Sequence, residues 1–256
     1  MKNFAFCTLT YGEKYISQGD SLINQLNGMG YHVFVLTNDI DHYTPSDLLT
    51  PIKYEKEYFS FHEKRIVVRE CLKHYETAIF LDADVHIQDT DNLDIFQDID
   101  PGVHIFANFG NIGLTFLNDD LSICEVKGRR NTKYGNEGKE ILDRLGYRYT
   151  RIYDNHHEGY LEHFLEGRWI VKKDGGTEEK FLEIWDSLVD FCEQMDIKMN
   201  YLDTIGSGEG SVMSIAAYNS GIKIHSVSRM VGFVIRHFIS NYVEKVNNIK
   251  PWNMAG

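Results

Sequence analysis

Two carboxylates one residue apart, Asp82 and Asp84, follow directly on the apolar run Ile79-Phe80-Leu81. In a continuing strand they would point to opposite faces. A turn at the strand's C-terminal end instead lets both reach one hard cation through oxygen ligands. In open parallel sheets that end is also where ligands bind. Mg²⁺ or Mn²⁺ there would bridge two phosphates and offset the negative charge growing on a departing nucleoside diphosphate. The bland alternative is a pair of acidic turn residues with no ligand, but the apolar run before them and the lack of an adjacent basic residue favour the cation.

The surrounding elements must place this pair. Residues 4–10 (FAFCTLT) are a short β-prone run that ends in a turn at Tyr11-Gly12. Residues 13–27 carry Tyr15, Ile16, Leu22, Ile23 and Leu26 at helical spacing, stopped by Gly28-Met29-Gly30. Val33–Leu36 is the next strand, giving a βαβ opening of a parallel sheet. A helix over 62–74 with one apolar and one charged face precedes the strand 78–81. The segment 103–118 reads as strands with irregular connections, and the polar stretch 125–160 as a long mobile loop or insertion over the site. Residues 181–195 give the cleanest helical spacing, from Phe181 through Trp185 to Met195. SVMSIAAYN is a small-residue helix stopped at Gly221, followed by a strand at Ile222–Ile224. No repeat, low-complexity tract or linker interrupts the chain. The fold class is therefore α/β, helices around a mainly parallel sheet, in one domain over 1–256.

Composition narrows the function. The chain has 256 residues, 43% of them hydrophobic, and a net charge of −12 from 38 acidic and 26 basic residues. That balance excludes an extended nucleic-acid grip, which needs clustered Lys and Arg, but allows a small anionic ligand. The four cysteines (Cys7, Cys71, Cys124, Cys192) form no CxxC pair, which excludes zinc spacing and points to reduced core thiols. No apolar stretch fits a signal peptide or a membrane span. The expectation is a cytoplasmic protein, with peripheral membrane contact left open.

The segment 75–87 (YETAIFLDADVHI) resembles the D-x-D region of GT-A-fold glycosyltransferases, particularly the family 8 group of glycogenin and related galactosyltransferases. The resemblance implies a GT-A-type fold, a nucleotide-binding half over about 1–100 and an acceptor half over about 101–256. It implies that the loop Thr8–Gly12, with Thr10 and Tyr11, followed by Tyr15, meets the base. The strand VFVLTND would end near ribose and base at Asn38 and Asp39, and Lys64, Arg65 or Arg69 would supply a basic contact. Lys250-Pro251-Trp252 looks like the family's K-P-W ending, whose Lys approaches the diphosphate. The implied cofactor is Mn²⁺ or Mg²⁺. The implied partners are a nucleotide-sugar donor, most simply a UDP-sugar, and a carbohydrate, lipid-linked or protein acceptor.

The chain departs from that pattern at two places. The family's metal-binding His, six residues before the Lys, is Glu244 here. Either Glu244 or His237 would then complete the metal site, unless the third ligand is absent. The family's late D-Q-D-like stretch is Gly208-Glu209-Gly210 here. Glu209 stands where a helix N-terminus favours any acid. As a catalytic group it would take the acceptor hydroxyl's proton and so invert the anomeric centre. Without a base there, retention is expected, as in family 8. Two weaker clusters are His156-His157-Glu158, as sugar-coating or solvated loop residues, and Arg168-Trp169, as a pyranose-stacking pair or a core strand.

Other classes compete. A haloacid-dehalogenase-like phosphatase would use Asp82 as nucleophile and Asp84 as acid/base, but its motif follows the first strand of the chain. A GT-A relative that binds nucleotide without transfer is consistent with Glu244. A nucleotidyltransferase would need a Gly-rich basic loop where Thr10-Tyr11-Gly12-Glu13 stands.

Overall fold

All seven residues of Phe4–Thr10 are buried, so this strand, β1, meets water on neither face and must be covered on both. The computed structural model describes residues 2–87, 93–106, 114–117, 123–124, 150–153, 157–162, 167–194, 209–227 and 235–237. After β1 come α1 (Gly12–Gly28), β2 (Val33–Thr37), β3 (Leu49–Lys53), α2 (Lys64–His74), β4 (Thr77–Leu81) and β5 (Val85–Ile87). They are followed by β6 (Gly102–Phe106), β7 (Leu114–Leu117), β8 (Ile123–Cys124), β9 (Thr150–Tyr153), β10 (His157–Glu162) and β11 (Arg168–Lys172). The last elements are α3 (Thr177–Gln194), α4 (Glu209–Ser220), β12 (Ile224–Val227) and β13 (Ile235–His237).

The main sheet has seven strands in the order β12-β6-β11-β4-β1-β2-β3. Strands β3, β2, β1 and β4 run parallel, and β12 is parallel to β6. Only β11 reverses, lying antiparallel between β4 and β6. This is the mainly parallel, helix-flanked α/β sheet that the GT-A resemblance implies. Strands on either side of residue 100 pair within it. A second sheet, β8-β7-β10-β9, and the pair β13-β5 complete the described strands.

Alternation along β1 divides the core. Ala5, Cys7 and Leu9 pack with Val67, Val68 and Cys71 of α2 and with Phe181, Trp185 and Val189 of α3. Phe4 and Phe6 face Ile16, Leu22, Ile23 and Leu26 of α1. Cys7 and Cys71 are buried free thiols. Trp169 of β11 is fully buried and stacks on Phe80, centroids 5.5 Å apart. The core-strand reading therefore replaces the pyranose-stacking one, because β11 is an interior strand. Part of the expected loop 125–160 is also strand: β9 and β10 pair through His157↔Tyr153 and Glu158↔Ile152. The rest of it, with His156, lies outside the described residues. Among the described residues no helix is long and apolar enough to cross a membrane.

At the β6–β12 edge, His104 and His225 are register partners with rings stacked 4.4 Å apart. Burial, opposed by the Asp100 carbonyl and reinforced by His225, holds His104 below the usual histidine pKa. The unfolded chain then binds the proton more readily than the folded one, so stability drops as pH falls through about 6.5. Lowering the pH from 7.5 to 5.5 is expected to lower Tm, and His104→Asn should flatten that slope. An unchanged slope in the variant would show that His104 is not a source of it.

Candidate functional site

The strand order turns back on itself between β1 and β4. From β1 the chain steps outward to β2 and β3, then returns to the other side of β1 for β4. Such a reversal opens a crevice at the carboxyl ends of the two strands. Here those ends are Thr10-Tyr11-Gly12 and Leu81-Asp82.

Strand β4 stops where the Asp82 N–H bonds the Gly167 carbonyl at 2.8 Å. Three residues on, the Val85 N–H bonds the Asp82 carbonyl at 3.0 Å. This tight turn breaks the strand alternation and presents both carboxylates to one neighbour. The Tyr15 phenol is pushed up by burial, then by Asp84 and Asp82, with Lys64 opposing. The turn expected at the strand's end is present.

Lys64 opens α2 with its side chain 1% exposed. Its Nζ donates to Asp82 Oδ1 at 2.8 Å and to Glu209 Oε1, and lies 5.1 Å from the Phe61 and Phe80 ring centroids. A helix N-terminus repels a cation, and burial also opposes the charge. The Asp82 and Glu209 carboxylates outweigh both and hold the ammonium well above the usual lysine range. Glu209, the first residue of α4, is 2% exposed. Of Lys64, Arg65 and Arg69, Lys64 is the one that contacts Asp82.

Arg65 and Arg69 go elsewhere. Their guanidinium groups share Asp186 of α3, Arg65 through Nε at 2.5 Å, and Arg65 also bonds Glu63 at 2.9 Å. Four residues apart, the two arginines share a helix stripe, and Lys64 is a residue's rotation away from it. They pin α2 to α3.

An aromatic wall adjoins the carboxylates. Tyr15 stacks on Phe59 (centroids 5.6 Å, planes 16° apart), and Tyr11 packs on Phe59 and Tyr54, each at 5.1 Å. Phe59 belongs to the segment 54–60 after β3. That segment folds around the Tyr54 hydroxyl, which accepts from Ser60 N at 2.8 Å and donates to Tyr58 O at 3.0 Å. Tyr11 ties it to β1 by donating to Glu57 O at 3.2 Å, and Lys56 and Tyr58 tie it to Glu193 of α3. Sequence reasoning passed over Phe59 and Tyr54. The available signal was the aromatic density of YEKEYFSF between a strand and a helix.

The remaining candidates divide. Asn38 Oδ1 accepts from Gly12 N at 2.8 Å, bracing the β1–α1 turn, where Gly12 takes φ +76°. Asp39 is exposed beside it at the end of β2. Thr10 is fully buried, its methyl packed so closely on α1 that a Cβ at Gly19 would lie 2.3 Å away. Its methyl therefore faces the helix seam. The His237 backbone pairs with Val85, one residue from Asp84, a proximity between distant segments. Glu244 and Lys250 lie outside the described residues.

Among the described residues no group of three or more His, Cys, Asp or Glu is placed to hold a metal. The Asp82–Asp84 pair nevertheless suits Mg²⁺ or Mn²⁺, which bind through one or two carboxylates together with substrate phosphates. Lys64 contacts Asp82 through Oδ1.

No family model matches the sequence, and no curated protein does. Among solved structures, the apo form of WbbM, a bifunctional glycosyltransferase, is similar at 11% identity and a TM-score of 0.47. The alignment covers 88% of this chain and 38% of that one. A likeness at this level adds no weight to a functional reading.

Removing Lys64 would leave two neighbouring carboxylates without the cation between them. Breaking such a buried pair costs about 3–5 kcal/mol. Lys64→Met is expected to lose stability of that order in urea unfolding at pH 7. A loss under 1 kcal/mol would show the cluster to be solvated.

Proposed function

We propose that this protein is a glycosyltransferase that moves a hexose from a nucleotide-diphosphate sugar, UDP-linked by resemblance, to a carbohydrate, lipid-linked or protein acceptor. One observation carries the reading. At the reversal point of the sheet, Tyr15 stacks on Phe59 and also lies in the field of Asp84 and Asp82. A flat apolar surface beside a pair of hard oxygen ligands is what a nucleoside diphosphate requires, base at one end and cation-bridged phosphates at the other.

In this reading Tyr15, Tyr11 and Phe59 supply aromatic surface for the base, whose stacking tolerates any base identity. Asp82 and Asp84 would hold Mn²⁺ or Mg²⁺, which when bound offsets charge on the departing diphosphate. Lys64 fixes Asp82 from the protein side. Asn38 keeps the β1–α1 turn in shape beneath the nucleoside. For a third metal ligand the resemblance leaves Glu244 and His237 as the candidates, unless that ligand is absent. Lys250 would approach the diphosphate.

The phosphatase alternative gains no support, because the strand before Asp82 is the fourth in the chain. A nucleotide-binding relative without activity would bind UDP and turn over no donor.

The test is UDP release from UDP-hexoses with Mn²⁺. Asp84→Ala is expected to lower it about 100-fold or more. Asp82→Ala should lower it too and also lower the unfolding midpoint, because Asp82 is a partner of Lys64. Full release by Asp84→Ala would refute the proposal.

A further inference from the structure

We propose that Glu209 is a positioning residue that acts through Lys64: by sharing the lysine's charge it keeps Asp82 negative enough to hold a cation. This rests on the reading above, that Asp82 and Asp84 hold a divalent cation.

The contacts define a chain. Glu209 begins α4, Lys64 begins α2, and Asp82 ends β4, so three elements distant in sequence converge on one ammonium. Glu209 and Lys64 are buried, 2% and 1% exposed, whereas Asp82 is 25% exposed. Asp82 is thus the member that solvent and ligand reach, and Glu209 the member that they do not. An ammonium has three N–H donors and one unit of charge. Held by two carboxylates, it neutralises neither. Without the Glu209 charge, more of the ammonium's charge would fall on Asp82 and offset the charge that a cation needs there. Glu209 is then a partner of a ligand's partner, and such groups tune metal affinity without touching the metal. It also follows that Glu209, committed to Lys64, is not the base for an inverting attack.

Mn²⁺ binding in the presence of saturating UDP separates these roles, because UDP supplies the phosphates and no transfer is needed. The full chain, Glu209→Gln, and Lys64→Met combined with Glu209→Gln would each be titrated with Mn²⁺ in saturating UDP by calorimetry. Asp82→Asn serves as the control for the site. Glu209→Gln keeps the size and a hydrogen bond to Lys64, and is expected to raise the Mn²⁺ Kd about 10-fold or more. The double variant, with no ammonium beside Asp82, should recover most of that affinity. A purely structural role would not produce recovery when a second buried group is removed. Wild-type affinity in Glu209→Gln would overturn the proposal and leave the cation reading standing. Equal weakness in both variants would overturn it too, by showing general damage. No Asp82-dependent Mn²⁺ binding in the unaltered chain would overturn the cation reading, and this proposal with it.

Discussion

Burying an ammonium costs several kilocalories per mole unless opposite charge sits beside it. At Lys64 that charge comes from Asp82 at the end of a strand and Glu209 at the start of a helix. The pairing constrains much of the molecule: α2 must start within reach of the β4 end, and α4 must start against α2. The aromatic surroundings of Phe61 and Phe80 keep the cluster from water, which strengthens each contact within it. A second set of ion pairs, Arg65 and Arg69 with Asp186, holds α2 against α3. The first turns of α2 thus carry two jobs on two faces, one toward the crevice and one toward the next helix.

The crevice has a rigid side and a strapped side. Its rigid side is the sheet, where β1 and β4 are interior strands with helices on both faces. The strapped side is the segment 54–60, which has no ladder of its own. Tyr11, Glu193 and the Tyr54 hydroxyl hold it in place. Ligand contacts are expected from such loops on a rigid scaffold.

Much of the framework was legible because strands buried on both faces read as unbroken apolar runs. FAFCTLT, VFVL and AIFL are such runs, and β1, β2 and β4 lie where they predict. Helix α3 begins at Thr177 rather than 181 because its first turn, Thr177–Lys180, is polar and carries no apolar spacing. The Asp82–Asp84 turn was legible from its place after a strand. The Lys64–Asp82 contact was not, since helical spacing ranks faces by hydropathy and here Lys64 and Arg65 are buried. Pairings between distant segments, such as Val85 with His237, leave no local pattern at all. Trp169 illustrates the converse: an Arg-Trp pair suits a sugar site in isolation, yet its strand lies inside the sheet.

Calorimetric titration of UDP and GDP into the protein with Mn²⁺, repeated with EDTA, tests the central claim most directly. The account predicts nucleotide binding in Mn²⁺ that disappears with EDTA. Binding that is unchanged by EDTA would contradict the cation-bridged site, and no binding of either nucleotide would contradict the nucleotide-sugar reading altogether.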